Sequence, residues 1–252
     1  MRTLNPLYTD VRLRGLRVAI TGGTSGLGLA MVRELSNREA RVALVARTPD
    51  RVAAVAREYP RVHGIVGDVA RKEDVYRIAL EILGNLGGLD VLVNNASSLG
   101  PTPLVLLADT QCEDLELAFA TNVLGPFRLT KALLGSLAGA AREGRGGVVI
   151  NVSSDAAVNA YERWGAYGAS KAALVHLTRT WDAELSFQGL RFASLDPGDM
   201  DTPLHALAVP DADRALLKQP ADAASELVTV ILGLLPEHPS GDAGVRTLRQ
   251  AS

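Results

Sequence analysis

Short apolar runs alternate with longer segments of helical periodicity along most of the chain, and this alternation constrains the fold more than any other feature. The runs are rich in Val, Ile and Leu on both faces, which is typical of strands covered by helices on both sides. They lie at residues 17–21, 41–46, 61–66, 89–95, 147–153 and 191–196. The repeated strand–helix order predicts an α/β fold, a single-domain, doubly wound parallel sheet flanked by helices on both faces.

The domain boundaries follow from the segments that lack this alternation. The chain has 252 residues and no linker, so we expect one domain over residues 15–252. Residues 1–14 precede the first strand and are expected to form a surface extension. Residues 199–220 contain three prolines and little periodicity. A loop of this length in a compact domain is usually a functional lid or disordered, and we expect it to form a substrate loop.

Composition and charge exclude several classes of protein. The net charge is −2 and no basic stripe is present, which argues against nucleic acid or an anionic membrane as a partner. The single cysteine, Cys112, excludes an intrachain disulfide and a multi-cysteine metal site, so we expect no metal and a reducing, cytoplasmic location. The N-terminus has no apolar signal-peptide core. No run of about 18 apolar residues predicts a transmembrane helix.

A glycine-rich turn follows the first predicted strand directly. The sequence "TGGTSGLG" from Thr21 to Gly28 places glycines at positions 22, 26 and 28. Such a turn between a strand and a helix lets the backbone approach a pyrophosphate, and the helix N-terminus offers N–H groups to it. Three glycines in this spacing can also form an ordinary tight turn, but the strand before and the amphipathic helix after favour phosphate binding.

A tyrosine and a lysine lie four positions apart in "YGASK", from Tyr167 to Lys171. On a helix this spacing puts both side chains on one face, about one turn apart. The pair alone is compatible with two surface neighbours or with a phenol whose acidity is tuned by an ammonium group. Ser154 follows the fifth predicted strand, at the sheet edge where ligands bind in open α/β folds.

Six motifs in a fixed order resemble those of the short-chain dehydrogenase/reductase family, and they span residues 21–202. The family's glycine turn, its N-N-A-G after strand four, its helix asparagine, its serine, its Y-x-x-x-K and its P-G after strand six all have counterparts. The matching residues are Thr21, Gly22, Gly26, Gly28, Asn94, Asn95, Ala96, Asn122, Ser154, Tyr167, Lys171, Pro197 and Gly198. Ser97 replaces the last glycine of N-N-A-G. The resemblance implies a Rossmann-like fold.

The resemblance also implies a role for each catalytic residue. Tyr167 would be the acid/base, Ser154 would orient the substrate oxygen, Lys171 would tune the phenol and hold the nicotinamide ribose, and Asn122 would anchor a water for proton resupply. An ammonium group about 5 Å away, at an effective dielectric of about 20, would lower the phenol pKa by about two units. The alternatives are a strand-end cap for Ser154 and a hydrogen bond at a helix kink for Asn122.

Cofactor preference depends on the end of the second strand. Ala46 stands where the family's NAD-binding members carry aspartate, and Arg47 follows, where a guanidinium can bind a 2′-phosphate. This favours NADP, with NAD as the alternative, although Arg47 can also be a solvated loop charge. Ser25 is not the basic residue that many NADP-binding members have. Asp68 and Val69 match the adenine contact, but Asp68 can instead cap a helix.

The full set of predicted cofactor contacts is drawn from these motifs and from Thr202, which would reach the nicotinamide carboxamide. The set comprises Thr21, Gly22, Ser25, Gly26, Gly28, Arg47, Asp68, Val69, Asn95, Ala96, Tyr167, Lys171, Pro197, Gly198 and Thr202.

Four aromatic residues near the predicted site are also assigned roles. Trp164 is expected to wall the substrate side, and Trp181 to pack in a core or a subunit contact. His176 is expected to pack, whereas His205 is either a surface residue or a substrate contact.

The family resemblance implies a homo-oligomer, either a dimer or a tetramer. Relatives pair through the helix that holds Tyr167 and Lys171 and through the long helix before it, and these helices carry more apolar residues than one inward stripe requires. The family's V-D-G-G tail is missing, because the chain ends in the polar "SGDAGVRTLRQAS".

Together these features predict an NADP(H)-dependent oxidoreductase that interconverts a small-molecule carbonyl and an alcohol by hydride transfer. One alternative is a catalytically idle dinucleotide-binding sensor or scaffold on the same fold. Another is a non-redox use of the cofactor, but such relatives usually carry an additional substrate domain.

Overall fold

Six parallel strands form one sheet in the computed structural model, which describes residues 11–236. The strand order is β3-β2-β1-β4-β5-β6, and every pair of neighbours is parallel. The strands are β1 (Arg17–Thr21), β2 (Arg41–Ala46), β3 (Val62–Val66), β4 (Val91–Asn94), β5 (Val148–Val152) and β6 (Arg191–Leu195). All six predicted strands are therefore present, and the doubly wound parallel sheet is confirmed.

Eight α-helices connect or follow these strands. They are α1 (Gly26–Asn37), α2 (Pro49–Glu58), α3 (Lys72–Leu86), α4 (Cys112–Phe119), α5 (Gly125–Arg142), α6 (Gly165–Leu185), α7 (Pro203–Ala208) and α8 (Pro220–Leu234). A π-helical turn, Ala120–Leu124, joins α4 to α5. Over residues 11–236, no helix combines the length and apolarity needed to cross a membrane.

Two apolar cores cover the two faces of the sheet. Alternate residues of a strand point to opposite faces, so Val18 and Ile20 enter one core while Ala19 enters the other. The first core includes α1 and α8, and the second includes α3 and α5. The central strands are buried on both sides because each face carries helices, and this explains their lack of hydrophobic alternation.

The packed domain begins earlier than the sequence predicts. Val11–Leu13 form a 3-10 turn, and Leu13 is fully buried in the first core. The side chain of Arg12 donates a hydrogen bond of 2.9 Å to the carbonyl oxygen of Leu232 in α8. A surface extension reaching residue 14 is therefore wrong at its C-terminal end. Residues 1–10 and the polar tail at 240–252 lie outside the described residues.

The segment 199–220 is more regular than its sequence suggests. It contains α7 and a 3-10 turn, Arg214–Leu216. Thr202 caps α7, because its hydroxyl accepts a hydrogen bond from the His205 N–H at 3.2 Å. Arg214 forms two hydrogen bonds with the Asp201 carboxylate, at 2.8 and 3.0 Å. A helix of six residues is too short to show periodicity, which is why the sequence predicts a loop.

Candidate active site

A cleft of about 570 Å³ opens at the carboxyl ends of the strands, where the strand order reverses between β1 and β4. This is the position at which open α/β sheets bind ligands. Most of the predicted site residues line it, namely Gly22, Ser25, Gly26, Arg47, Asp68, Val69, Asn95, Ala96, Ser154, Tyr167, Lys171, Pro197, Gly198 and Thr202. Thr21, Gly28 and Asn122 are not among the lining residues.

The glycine-rich turn forms a close-packed cradle at one end of the cleft. Gly22 and Gly26 have φ angles of +70° and +49°, in the left-handed region that favours glycine. Gly28 lies in the first turn of α1, where an added Cβ would collide with the carbonyl oxygen of Gly22. The first N–H groups of α1 lack helical acceptors, so the start of this helix can bind an anion. The cradle therefore fits a dinucleotide pyrophosphate.

Thr21 and Asn95 hold the cradle to the sheet. The Thr21 hydroxyl accepts hydrogen bonds from the N–H groups of Asn95 and Ala96, each at 3.0 Å. The Asn95 amide donates to the carbonyl oxygens of Thr21 and Gly22, at 2.9 and 3.3 Å. Thr21 is only 2% exposed. Thr21 and Gly28 therefore shape the turn from behind, and their direct contact with a cofactor stays a prediction.

Two arginines lie in the same part of the cleft, after β2, the strand next to β1 and its cradle. Arg47 lies after β2 as predicted, and Arg51 lies one turn further on, in α2. Both are exposed, and no carboxylate within residues 11–236 pairs with either guanidinium. Arg51 was not predicted from the sequence, although its spacing of four residues from Arg47, at the start of a helix, indicates that the two can lie close together. Two unpaired guanidiniums fit a phosphate.

Asp68 closes a turn at the same end of the cleft. Its carboxylate accepts a hydrogen bond from the Ala70 N–H at 2.9 Å, and its own N–H donates to Asp74 at 2.9 Å. The N-cap of α3 is Arg71, so Asp68 does not cap that helix as the alternative proposed. Asp68 and the buried Val69 both line the cleft.

Tyr167 and Lys171 are buried together one turn apart in α6. They are 7% and 2% exposed, and the lysine nitrogen lies 5.5 Å from the centre of the tyrosine ring. The lysine nitrogen also donates a hydrogen bond of 2.7 Å to the carbonyl oxygen of Val152, at the end of β5. The alternative that these residues are surface neighbours is excluded by their burial.

Burial changes the acidity of both groups. Desolvation raises the pKa of Tyr167 to about 12, although a hydrogen bond with Ser154 acts in the opposite direction. Desolvation also lowers the pKa of Lys171 to about 8. The predicted net lowering of the phenol pKa is therefore wrong for this structure, because the phenolate loses more from burial than it gains from its neighbours.

Ser154 lies between β5 and a short 3-10 turn, Asp155–Ala157. Its hydroxyl accepts a hydrogen bond from the Ala156 N–H at 3.2 Å and donates to the Asp155 carboxylate at 3.1 Å. The strand-end cap that the sequence left as an alternative is present. It is compatible with a direct role, because Ser154 lines the same cleft as Tyr167.

Asn122 occupies the π-helical turn and is fully buried. Its amide donates to the carbonyl oxygen of Ser98 and to the hydroxyl of Ser170, each at 2.8 Å. Its oxygen accepts from the Ser98 N–H at 2.8 Å and from the Ser97 hydroxyl at 3.2 Å. The side chain thus ties the loop after β4 to α6, next to the buried lysine, and makes the hydrogen bonds expected at a helix irregularity.

An apolar wall stands beside the tyrosine. Trp164 packs edge-on against Tyr167 with ring centres 5.6 Å apart, as expected of a substrate-side wall. Leu99 and Leu204 pack in the same cluster. His205 also lines the cleft, and its side chain is 14% exposed.

Two other predicted aromatic residues lie away from the cleft. Trp181 packs between the rings of Phe127 and Phe192, at 5.8 and 5.9 Å. This agrees with a packing role. His176 is exposed, so the expectation that it packs is wrong within this chain, because it lies on the outer side of α6.

Comparison with known proteins agrees with this geometry. A family model described as short chain dehydrogenase matches residues 17–213. The glucose 1-dehydrogenase of Gluconobacter oxydans is 31% identical over 212 residues, which cover 82% of this chain and 77% of that protein. The L-xylulose reductase of Bos taurus is 30% identical over 206 residues, covering 82% and 80%.

Solved structures share the fold. An alcohol dehydrogenase from the archaeon Thermococcus sibiricus, complexed with 5-hydroxy-NADP, has a TM-score of 0.76 at 29% identity and covers 86% of this chain and 91% of its own. The 3-ketoacyl-(acyl-carrier-protein) reductase from Brucella melitensis, complexed with NADH, has a TM-score of 0.80 at 25% identity, with coverage of 87% and 91%. The chain therefore belongs to the short-chain dehydrogenase/reductase family of oxidoreductases, which use a nicotinamide dinucleotide.

Proposed function

We propose that the protein is an NADP(H)-dependent oxidoreductase that interconverts a small-molecule carbonyl and an alcohol, with Tyr167 as the acid/base. The observation that carries this proposal is the buried pair of Tyr167 and Lys171 beside Ser154, in the same cleft as the glycine cradle. A bound nicotinamide would supply or accept the hydride. The protein must then supply the proton and orient the substrate oxygen.

The protonation states favour reduction of a carbonyl at neutral pH. A phenol with a pKa of about 12 keeps its proton there, so Tyr167 can act as a general acid. Ser154 holds the substrate oxygen next to it. Oxidation of an alcohol requires the phenolate, which burial makes less accessible, so this direction is expected to need a higher pH.

Lys171 has two tasks in the proposed mechanism. An ammonium group has three N–H donors, and the carbonyl oxygen of Val152 takes one. The other two can hold the hydroxyls of the nicotinamide ribose. Its positive charge, 5.5 Å from the Tyr167 ring, stabilises the phenolate that forms as the proton leaves. Asn122 positions this lysine through Ser170, and its role in anchoring a water stays a prediction.

The remaining cleft residues would hold the cofactor along its length. The N–H groups around Gly22, Ser25 and Gly26 would bind the pyrophosphate. Asp68 and Val69 would contact the adenine, and Asn95 and Ala96 would lie under the nicotinamide half. Pro197, Gly198 and Thr202 would cover the nicotinamide.

A preference for NADP is supported by the two arginines at the adenosine end. Ala46 offers no carboxylate to repel a 2′-phosphate, and Arg47 and Arg51 both line the cleft there. NAD is the alternative, since solved relatives bind an NADP analogue in one case and NADH in the other.

We also propose that the protein is a cytoplasmic homo-oligomer, a dimer or a tetramer. Two observations support an assembly through α6. Ala172 and His176 are exposed on this helix, and Val175 and Leu177 are only half-buried in the single chain. The cytoplasmic location rests on the single cysteine.

A panel of ketones and aldehydes, assayed with NADPH and with NADH by the absorbance of the reduced cofactor, tests the proposal. We expect at least one member to be reduced, and faster with NADPH. The catalytically idle alternative would be supported if the protein bound NADPH but reduced no member of the panel.

A further inference from the structure

The charged residues of the cleft are distributed unequally. Of those that line its described part, Arg47 and Arg51 lie at the end of β2, three strands away from β5, and Asp68 is the carboxylate at their end of the cleft. Three strand spacings correspond to about 14 Å. Three carboxylates, Asp155, Asp196 and Asp199, lie at the other end with Tyr167.

Two groups that can carry positive charge, Lys171 and His205, line the substrate end of the cleft, fewer than the three carboxylates there. The Lys171 nitrogen is buried and bonded to the carbonyl oxygen of Val152. The His205 ring nitrogen Nε2 lies 3.8 Å from the Asp199 carboxylate, so any charge on this ring is balanced by its neighbour. No other cation lines this end of the cleft within residues 11–236.

Asp155 and Asp196 are close enough to act on the reacting groups. Asp155 accepts hydrogen bonds from Ser154 at 3.1 Å and from the Tyr161 phenol at 2.6 Å. Burial is the main cause of the high pKa of Tyr167, but the charges of Asp196 and Asp155 raise that pKa further. A negative substituent on a substrate that reaches Tyr167 would experience the same charges.

We propose that the substrate is a carbonyl compound or alcohol without negative charge, and that Asp155, Asp196 and Asp199 together exclude oxo acids and phosphorylated compounds. The proposal rests on the proposed function of the same cleft. The uncharged part of the substrate packs against the apolar wall of Leu99, Trp164 and Leu204. Hydroxyl or ammonium substituents are accepted, because carboxylates accept hydrogen bonds from both.

Three acetophenones that differ only in a para substituent test the proposal. One carries a carboxylate, one a hydroxymethyl group and one an aminomethyl group, which is an ammonium at neutral pH. The carboxylate compound is expected to have a kcat/KM about tenfold below that of the hydroxymethyl compound. Repulsion between like charges a few ångströms apart in a solvated cleft lowers binding by about that factor. Added salt should narrow the difference, since all three aspartates are exposed.

The variant Asp155→Asn/Asp196→Asn/Asp199→Asn distinguishes repulsion by the three aspartates from differences in the intrinsic reactivity of the ketones. Asparagine removes the charge and keeps one acceptor oxygen, while its NH2 group replaces the other oxygen. The ratio of carboxylate to hydroxymethyl kcat/KM should rise several-fold in this variant. Asp211→Asn is the matched control, since Asp211 is exposed in the same segment but does not line the cleft, and it should leave the ratio unchanged.

Dissociation constants of the three ketones, measured by calorimetry on the NADP-loaded protein, separate this proposal from the proposed function. Weaker binding of the carboxylate compound, without turnover of any ketone, would support the charge selection and contradict the catalytic role. Equal binding and equal turnover of the carboxylate and hydroxymethyl compounds would overturn the charge selection. A ratio that the triple variant leaves unchanged would also overturn it.

Discussion

The side-chain nitrogen of Lys171 lies 5.5 Å from the centre of the Tyr167 ring, and both side chains are buried. A buried lysine destabilises a folded protein unless its charge is paired, because burial removes the hydration of that charge. Here the nitrogen is bonded to the end of β5 and points into the cleft with the phenol. The proposed catalytic role of the pair would account for the stability that the burial of this lysine costs.

Replacing the lysine with an uncharged residue should show this cost. The folded protein binds the Lys171 proton only up to a pKa of about 8, whereas the unfolded chain binds it up to about 10.5. Between these values the unfolded state binds more protons, so the stability contributed by this site rises with pH. Lys171→Met should be more stable than wild type at pH 7 by up to about 3 kcal/mol, before the loss of the hydrogen bond to Val152 is counted.

Urea unfolding at a series of pH values from about 7 to about 10 measures this difference. The upper limit matters because the raised pKa of Tyr167 makes stability fall again between about 10 and about 12. The free energy of unfolding of wild type should rise relative to that of Lys171→Met as the pH rises through this range. The exposed Lys131→Met is the matched control and should show no such trend. Parallel pH profiles for wild type and Lys171→Met would contradict the assignment.

Gly28→Ala should damage the phosphate cradle. Its Cβ would collide with the carbonyl oxygen of Gly22, so either α1 or the turn must move. We expect a loss of stability of about 1–3 kcal/mol and a loss of at least about tenfold in NADPH affinity. Gly84→Ala, also within a helix but with no atom within 4 Å of the added carbon, should instead stabilise by up to about 1 kcal/mol. Similar effects of the two substitutions on NADPH affinity would show that Gly28 does not shape a cofactor site.

The two arginines should set the cofactor preference. A charge-assisted pair with a phosphate at a partly exposed site is worth about 1.5–3 kcal/mol, or about ten- to a hundredfold in affinity. Arg47→Ala and Arg51→Ala should each weaken NADPH binding and leave NADH almost unchanged. Ala46→Asp with Arg47→Ala should reverse the preference, because a carboxylate accepts two ribose hydroxyls and repels a phosphate.

Arg57→Ala is the control for these variants, because Arg57 lies on the same helix and does not line the cleft. Competition titrations with both cofactors on each variant provide the measurement. If wild-type protein bound NADH as tightly as NADPH, this would contradict a role of the two arginines in cofactor selection.

The fold could be predicted from the sequence because strands buried on both faces leave a long-range pattern of apolar runs. The residues that line the candidate site could be predicted because their types and spacing are specific in combination. The acidity of Tyr167 could not, since the direction of its pKa shift depends on burial, which the spacing of Tyr167 and Lys171 does not reveal.

Other features depend on contacts between distant positions. The hydrogen bond between the side chains of Asn122 and Ser170 joins residues 48 positions apart, and no local sequence pattern predicts it. Arg51 resembles any exposed helix charge until the fold places it beside Arg47. Helix α7 is set by a capping threonine and a proline over six residues, fewer than hydrophobic periodicity needs.

The central claim is that Tyr167 supplies the proton while other residues hold the cofactor, and Tyr167→Phe tests it most directly. The variant removes one hydroxyl from a buried ring and keeps its contact with Trp164. NADPH affinity and turnover of the best carbonyl substrate should be measured on the same preparation. We expect nearly unchanged NADPH affinity and a loss of turnover of at least about 10²–10⁴. A variant that keeps more than about a tenth of the wild-type turnover would contradict the claim.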